Sequence, residues 1–189
     1  MRKIIQFSFF CMTLALSMKA SAQLPGPKLP KVLAFANFTY ASPSNSDFKN
    51  ISNNGVGFEA GAGIGMGKTL IIASLGQISY NIPNTFIATS TTGIAFTSSS
   101  SHLKVTPLKV GIRRYLIGGL FLNGNLGVAM QKYDNSTVTG STFLYEGGAG
   151  WKIGFLELGA AYTGFNLAGT SQPVTANALL LKAGLAIKL

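Results

Sequence analysis

The sequence has one histidine, His102, preceded by Ser100 and Ser101. A histidine that takes the proton from a serine hydroxyl makes a nucleophile for ester chemistry, usually with a carboxylate to orient the ring. Adjacent residues on an extended chain point to opposite faces, however, and no acidic residue stands near His102 in the sequence. An acyl-transfer site is therefore not expected. A single histidine and a single cysteine, Cys11, cannot assemble the His/Cys sets that hold zinc. Residues 62–69, AGIGMGKT, fit a relaxed phosphate-binding loop with Ala62 in the place of its first glycine. Such a loop curls its backbone N–H groups round a phosphate at a helix start, whereas these glycines continue a strict alternation begun at Gly55. Nucleotide binding is rejected on that ground, and neither a cofactor nor a nucleic-acid partner is expected.

The remaining charges point to mutual neutralisation instead. Glu59, Glu146 and Glu157, with Lys109, Arg113 and Lys182, fall on the parity opposite to the apolar residues of their segments. If those segments are strands, all six point the same way, away from the apolar face. Three negative and three positive groups balance. Glu157 is expected to pair with Arg113 in one layer and Glu146 with Lys109 or Lys182 near the middle, with Glu59 above.

The elements that would hold these residues follow from composition. Charged residues are 11 % of the chain and hydrophobic ones 47 %, against roughly 25 % charge in an ordinary soluble domain. Residues 1–22 read as a signal peptide: Arg2 and Lys3, an apolar run from Ile4 to Leu16, and Ala20-Ser21-Ala22 as a small-residue cleavage site. Cleavage removes Cys11 and with it all thiol chemistry. No later stretch reaches the ~18 consecutive apolar residues of a membrane-spanning helix. The way left to cross lipid with every backbone group paired is a closed barrel.

Residues 23–31, with Pro25, Pro27 and Pro30, read as an extended leader that cannot pair in a sheet. The barrel is expected over 32–189. In residues 55–66 the apolar Val56, Phe58, Ala60, Ala62, Ile64 and Met66 alternate with glycines and Glu59, as in a strand with lipid on one side and a lumen on the other. Alternation recurs in 32–41, 120–131, 156–165 and 177–189, and 142–151 supplies another strand. In 70–82 the apolar parity changes near Gly76 and in 103–116 at Pro107, so a bulge is expected at each. Residues 67–69, 117–119 and 152–154 are tight turns, whereas 42–54, 83–101, 133–140 and 166–175 are longer and polar. The prediction is an all-β, eight-stranded antiparallel up-and-down transmembrane barrel. Two interfacial aromatic girdles are expected: Tyr40, Phe58, Tyr80, Tyr133, Tyr145 and Tyr162 toward the loops, and Tyr115, Phe121, Trp151 and Phe155 toward the turns.

This pattern resembles the small eight-stranded outer-membrane proteins of the OmpA/OmpX type, over essentially all of the mature chain. The final alternation of Leu179, Leu181, Ala183, Leu185, Ile187 and Leu189 is similar to the family's closing strand, with Leu in place of the usual terminal aromatic. The resemblance implies a bacterial outer-membrane location with both termini periplasmic, contact with outer-membrane lipids and handling by the barrel-assembly machinery. With the balanced inward charges and the small room inside eight strands, the expectation is a non-enzymatic protein with a filled lumen, acting through surface loops or as a structural element of the envelope. The alternatives are a barrel that binds or passes a small apolar ligand and, third, a lipid A deacylase or acyltransferase. Segment 83–101, with Phe86, Ile87, Ile94 and Phe96 among serines and threonines, is the candidate contact for an extracellular partner.

Overall fold

A computed structural model describes residues 30–82, 101–134, 139–168 and 174–188. The expected signal peptide, most of the proline-rich leader and all of segment 83–101 except Ser101 lie outside the described residues. Eight strands run in order: β1 (Lys31–Pro43), β2 (Gly55–Met66), β3 (Thr69–Ile82), β4 (Ser101–Tyr115), β5 (Leu120–Tyr133), β6 (Thr139–Ile153), β7 (Leu156–Asn166) and β8 (Thr175–Lys188). A short helix, α1 (Ser46–Ile51), sits between β1 and β2. Each strand pairs antiparallel with the next, and β8 returns to β1 with Leu33 opposite Lys188, closing the barrel. The three short turns lie together at one end, and Gly67 and Gly154 enter two of them at φ of 64° and 61°, a region where a side chain is strained.

Period-two alternation sets the two faces of the wall. Outward stand Met66, Ile71, Ile112, Leu158 and Leu185, each more than half exposed. A continuous apolar belt of this kind is what lipid covers in a membrane barrel. Inward, the space is narrow enough that large side chains need glycine opposite them. A Cβ on Gly61 would strike the ring of Phe35, and one on Gly150 the ring of Phe121.

The interior is layered. At the turn end Leu33, Phe35, Leu70, Ile72, Tyr115, Phe121 and Ala186 form one apolar cluster. At the loop end a second cluster gathers Ile78, Tyr80, Leu103, Val105, Leu144, Phe165 and Leu180 round Phe48 and Ile51 of α1. Phe48 packs edge-on against Tyr80 at 5.0 Å and Phe165 at 6.0 Å. The side chain of Asn45, just before the helix, donates to the Thr175 carbonyl and accepts from the Asn177 N–H, fastening this loop to β8.

The bulges expected at Gly76 and Pro107 are absent. β2 and β3 keep one register from Gly55 opposite Tyr80 to Met66 opposite Thr69. β3 and β4 hold the same register on both sides of the proline, with Leu75 opposite Leu108 and Ile78 opposite Val105. Only the pairs at Gly76 and Gln77 drop out of that ladder, beside a residue with no N–H to donate. The parity change has another cause. Toward the loops the outward positions become Gln77, Ser79 and Asn81 on β3 and His102, Lys104 and Thr106 on β4, while the inward ones become Ile78, Tyr80, Leu103 and Val105. The strands do not shift. Their surroundings exchange, water replacing lipid outside and an apolar cluster replacing the polar layer inside.

The tight interior gives a ranked expectation. Gly61→Leu should destabilise the folded barrel by about 1–3 kcal/mol through overpacking, whereas the outward Ala62→Leu should stay within about 0.5 kcal/mol. Urea unfolding in detergent micelles measures both, and equal effects would contradict the assigned faces.

Candidate functional site

Between the two apolar clusters lies a charged layer supplied by five strands. β2 brings Glu59, β4 brings Lys109 and Arg113, β6 brings Glu146, β7 brings Glu157 and β8 brings Lys182. Glu59, Lys109, Arg113, Glu146 and Glu157 are buried, and the Lys182 side chain is 11 % exposed. A buried charge is tolerated only when paired and hydrogen-bonded, and here every one is.

The six residues form two groups. In the first, Lys109 Nζ lies 2.7 Å from Glu146 and 3.0 Å from Glu59, while Lys182 Nζ lies 2.8 Å from Glu146 and 2.7 Å from Glu59. Glu59 is thus part of the same four-membered ring of alternating charge and not a separate tier. Asn125 adds a hydrogen bond from its side-chain amide to Glu146 at 3.1 Å. In the second group Arg113 donates to Glu157 at 2.7 Å, and its guanidinium sits 4.7 Å from the ring centre of Phe35 and 4.3 Å from that of Phe121. Stacking of this kind suits a weakly hydrated guanidinium. The cavity lined by these residues measures about 20 Å³, close to the space for one water.

Four of the ten aromatics placed in the girdles are elsewhere. Tyr80, Tyr115 and Phe121 are buried inside the barrel, and Tyr133 is partly buried against the loop-end cluster. They occupy inward parity; nearness to a strand end does not make a residue face lipid. Tyr40, Phe58, Tyr145, Trp151, Phe155 and Tyr162 are exposed.

His102 stands half exposed on the outward side of β4, its Nδ1 3.7 Å from a carboxylate oxygen of Asp134 at the end of β5. Asp134 is the neighbour that the sequence reading missed, since it becomes one only through the β4–β5 register. It is held more closely by Lys104, at 2.7 Å. The side chains of Ser100 and Ser101, which precede His102 in the sequence, lie outside the described residues. At the turn end, Lys31 donates to the Gly67 carbonyl at 3.1 Å, Lys152 to that of Gly154, and Lys188 lies 4.1 Å over the Tyr115 ring.

Removing one carboxylate from the ring should therefore be costly. Glu146→Ala strands Lys109 and Lys182 with one acceptor between them, and a loss of roughly 3–5 kcal/mol is expected, the scale for a buried unpaired charge. Asp134→Ala, on a solvent-facing pair, should cost less than about 1 kcal/mol. Urea unfolding of the two variants in micelles measures the contrast, which an unchanged midpoint for Glu146→Ala would contradict.

No protein-family model matches the sequence, and no curated protein does. Solved structures do. Ail, the attachment invasion locus protein of Yersinia pestis, seen in complex with the heparin analogue sucrose octasulfate, matches at 14 % identity over 84 % of this chain and 97 % of its own, with a TM-score of 0.51. OprG from Pseudomonas aeruginosa matches at 11 % identity over 87 % and 98 %, TM-score 0.48. Neisserial surface protein A matches at 13 % identity over 85 % and 97 %, TM-score 0.47. At 14 % identity the likeness to Ail is one of fold alone, and the fold is a closed antiparallel barrel of eight strands with an apolar outward belt.

Proposed function

We propose that the protein is an integral outer-membrane barrel with a filled, non-conducting lumen, acting through its loop-end surface or as a structural element of the envelope. The observation that carries this reading is the charged ring of Glu59, Lys109, Glu146 and Lys182, closed on itself and shut between two apolar clusters. A channel needs its polar groups facing a continuous water path. Here they face one another, and Phe48 of α1 sits fully buried in the loop-side mouth. A cavity of about 20 Å³ within the layer also argues against a barrel that binds or passes an apolar ligand through its centre. The chemistry left to the protein is at its surface. Asp134 is held by Lys104 at 2.7 Å and stands 3.7 Å from His102, a poor orienting carboxylate for a catalytic ring, which favours a non-enzymatic role over lipid A modification.

In this reading residues 1–22 direct export, the turn end with both termini faces the periplasm, and the assembly machinery receives β8 as the closing strand. β3 and β4 run past the apolar belt with polar outward faces, so they would carry segment 83–101 away from the membrane toward an extracellular partner.

Purified wild-type protein in planar bilayers should show no stable single-channel steps. Steady conductance would sink the filled-lumen reading. On intact cells, added protease should cut within 83–101 and leave the leader around Lys28 whole. Leader cleavage in sealed cells would reverse the proposed topology.

A further inference from the structure

On the outward face at the loop end, Lys104 of β4 and Lys132 of β5 stand directly opposite each other in the ladder. Like charges at facing positions repel. Asp134 holds Lys104 at 2.7 Å, while Lys132 is exposed and has no acidic partner among the described residues. One step toward the turns Thr106 faces Met130, and below them Leu108 and Val128 face each other on the lipid side. The two lysines therefore sit at the edge of the apolar belt. With Gln77, Thr106, Met130 and Ser141 they line a groove of about 390 Å³ on the outer wall. Its upper rim is cationic, its sides carry hydroxyl and amide groups, and its lower end opens on apolar side chains.

We propose that this groove binds the phosphorylated headgroup of a lipid in the loop-side leaflet. Lys104 and Lys132 donate charge-assisted hydrogen bonds to the phosphate oxygens, and the acyl chains continue down over Met130, Val128 and Leu108. A dianionic phosphate between the two ammonium groups removes the repulsion that their register imposes. A soluble polyanion would satisfy the same charges, but it would gain nothing from the apolar lower end or from the level of the site at the belt's edge. The inference rests on the membrane-spanning reading.

The test uses the folded protein in detergent micelles, with insertion followed separately by heat-dependent gel mobility. Diphosphorylated lipid A, the same lipid stripped of phosphate, and a soluble sulfated oligosaccharide are each titrated and bound copies counted by native mass spectrometry. The phosphorylated lipid should bind roughly tenfold to thirtyfold more tightly than the stripped one, the scale of two basic residues at an anionic surface. Lys104→Gln with Lys132→Gln should abolish that preference, and Lys68→Gln at the opposite end should keep it. Equal binding of the two lipids, or a preference that survives the double substitution, overturns the proposal. Equal lipid binding together with oligosaccharide binding lost in the double variant overturns the lipid assignment in favour of a soluble polyanion. A wild-type protein with no heat-dependent mobility shift would overturn the membrane reading itself.

Discussion

Closure of eight strands on themselves is the constraint from which the rest of this structure follows. It satisfies every ladder without leaving an edge, which lipid would not tolerate. It also leaves an interior only wide enough for the barrel's own side chains. In that space a charge cannot find bulk water and must find another charge. The ring of Glu59, Lys109, Glu146 and Lys182 and the Arg113–Glu157 pair are the result. The glycines opposite Phe35 and Phe121 answer the same shortage of room.

Buried ion pairs do not by themselves favour folding, because desolvation can exceed the Coulomb gain. What they provide here is specificity. Carboxylates and ammonium groups from β2, β4, β6 and β8 must meet in one plane, so a slip of one residue in any ladder would turn a charge toward lipid. The apolar clusters above and below carry no comparable information about register. They exclude water and so raise the penalty for any mispaired charge.

Much of the fold is legible in the sequence because lipid and lumen impose opposite demands on alternate residues. β2 is readable to both of its ends for this reason, and the turns at Gly67 and Gly154 are marked by their glycines. Parity also places all six charged residues on one face, but which carboxylate meets which ammonium depends on strand stagger, which parity does not encode. The bulges and Tyr80 were misread because the environment changes along a strand. Above Gly76 and Pro107 apolar residues face inward, so a fixed rule of apolar-out suggested bulges and turned Tyr80 outward. Tyr115, Phe121 and Tyr133 were placed by depth where parity decides. α1 is a six-residue helix whose Phe48 finds its ring partners on β3 and β7, too far along the chain for a local signal.

The fastening of α1 bears on the order in which the molecule is assembled. Asn45 and Ser44 hold their places through Thr175 and Asn177, some 130 residues later in the chain, and Phe48 rests on a ring from β7. None of these contacts exists until the last strand lies beside the first. A segment made early in synthesis is thus secured by one made some 130 residues later, and long-range contacts of this kind form late because the loop entropy must be overcome first. These fastenings of α1 are complete only in a barrel that has already shut, so they mark completion of the fold and not a step toward it.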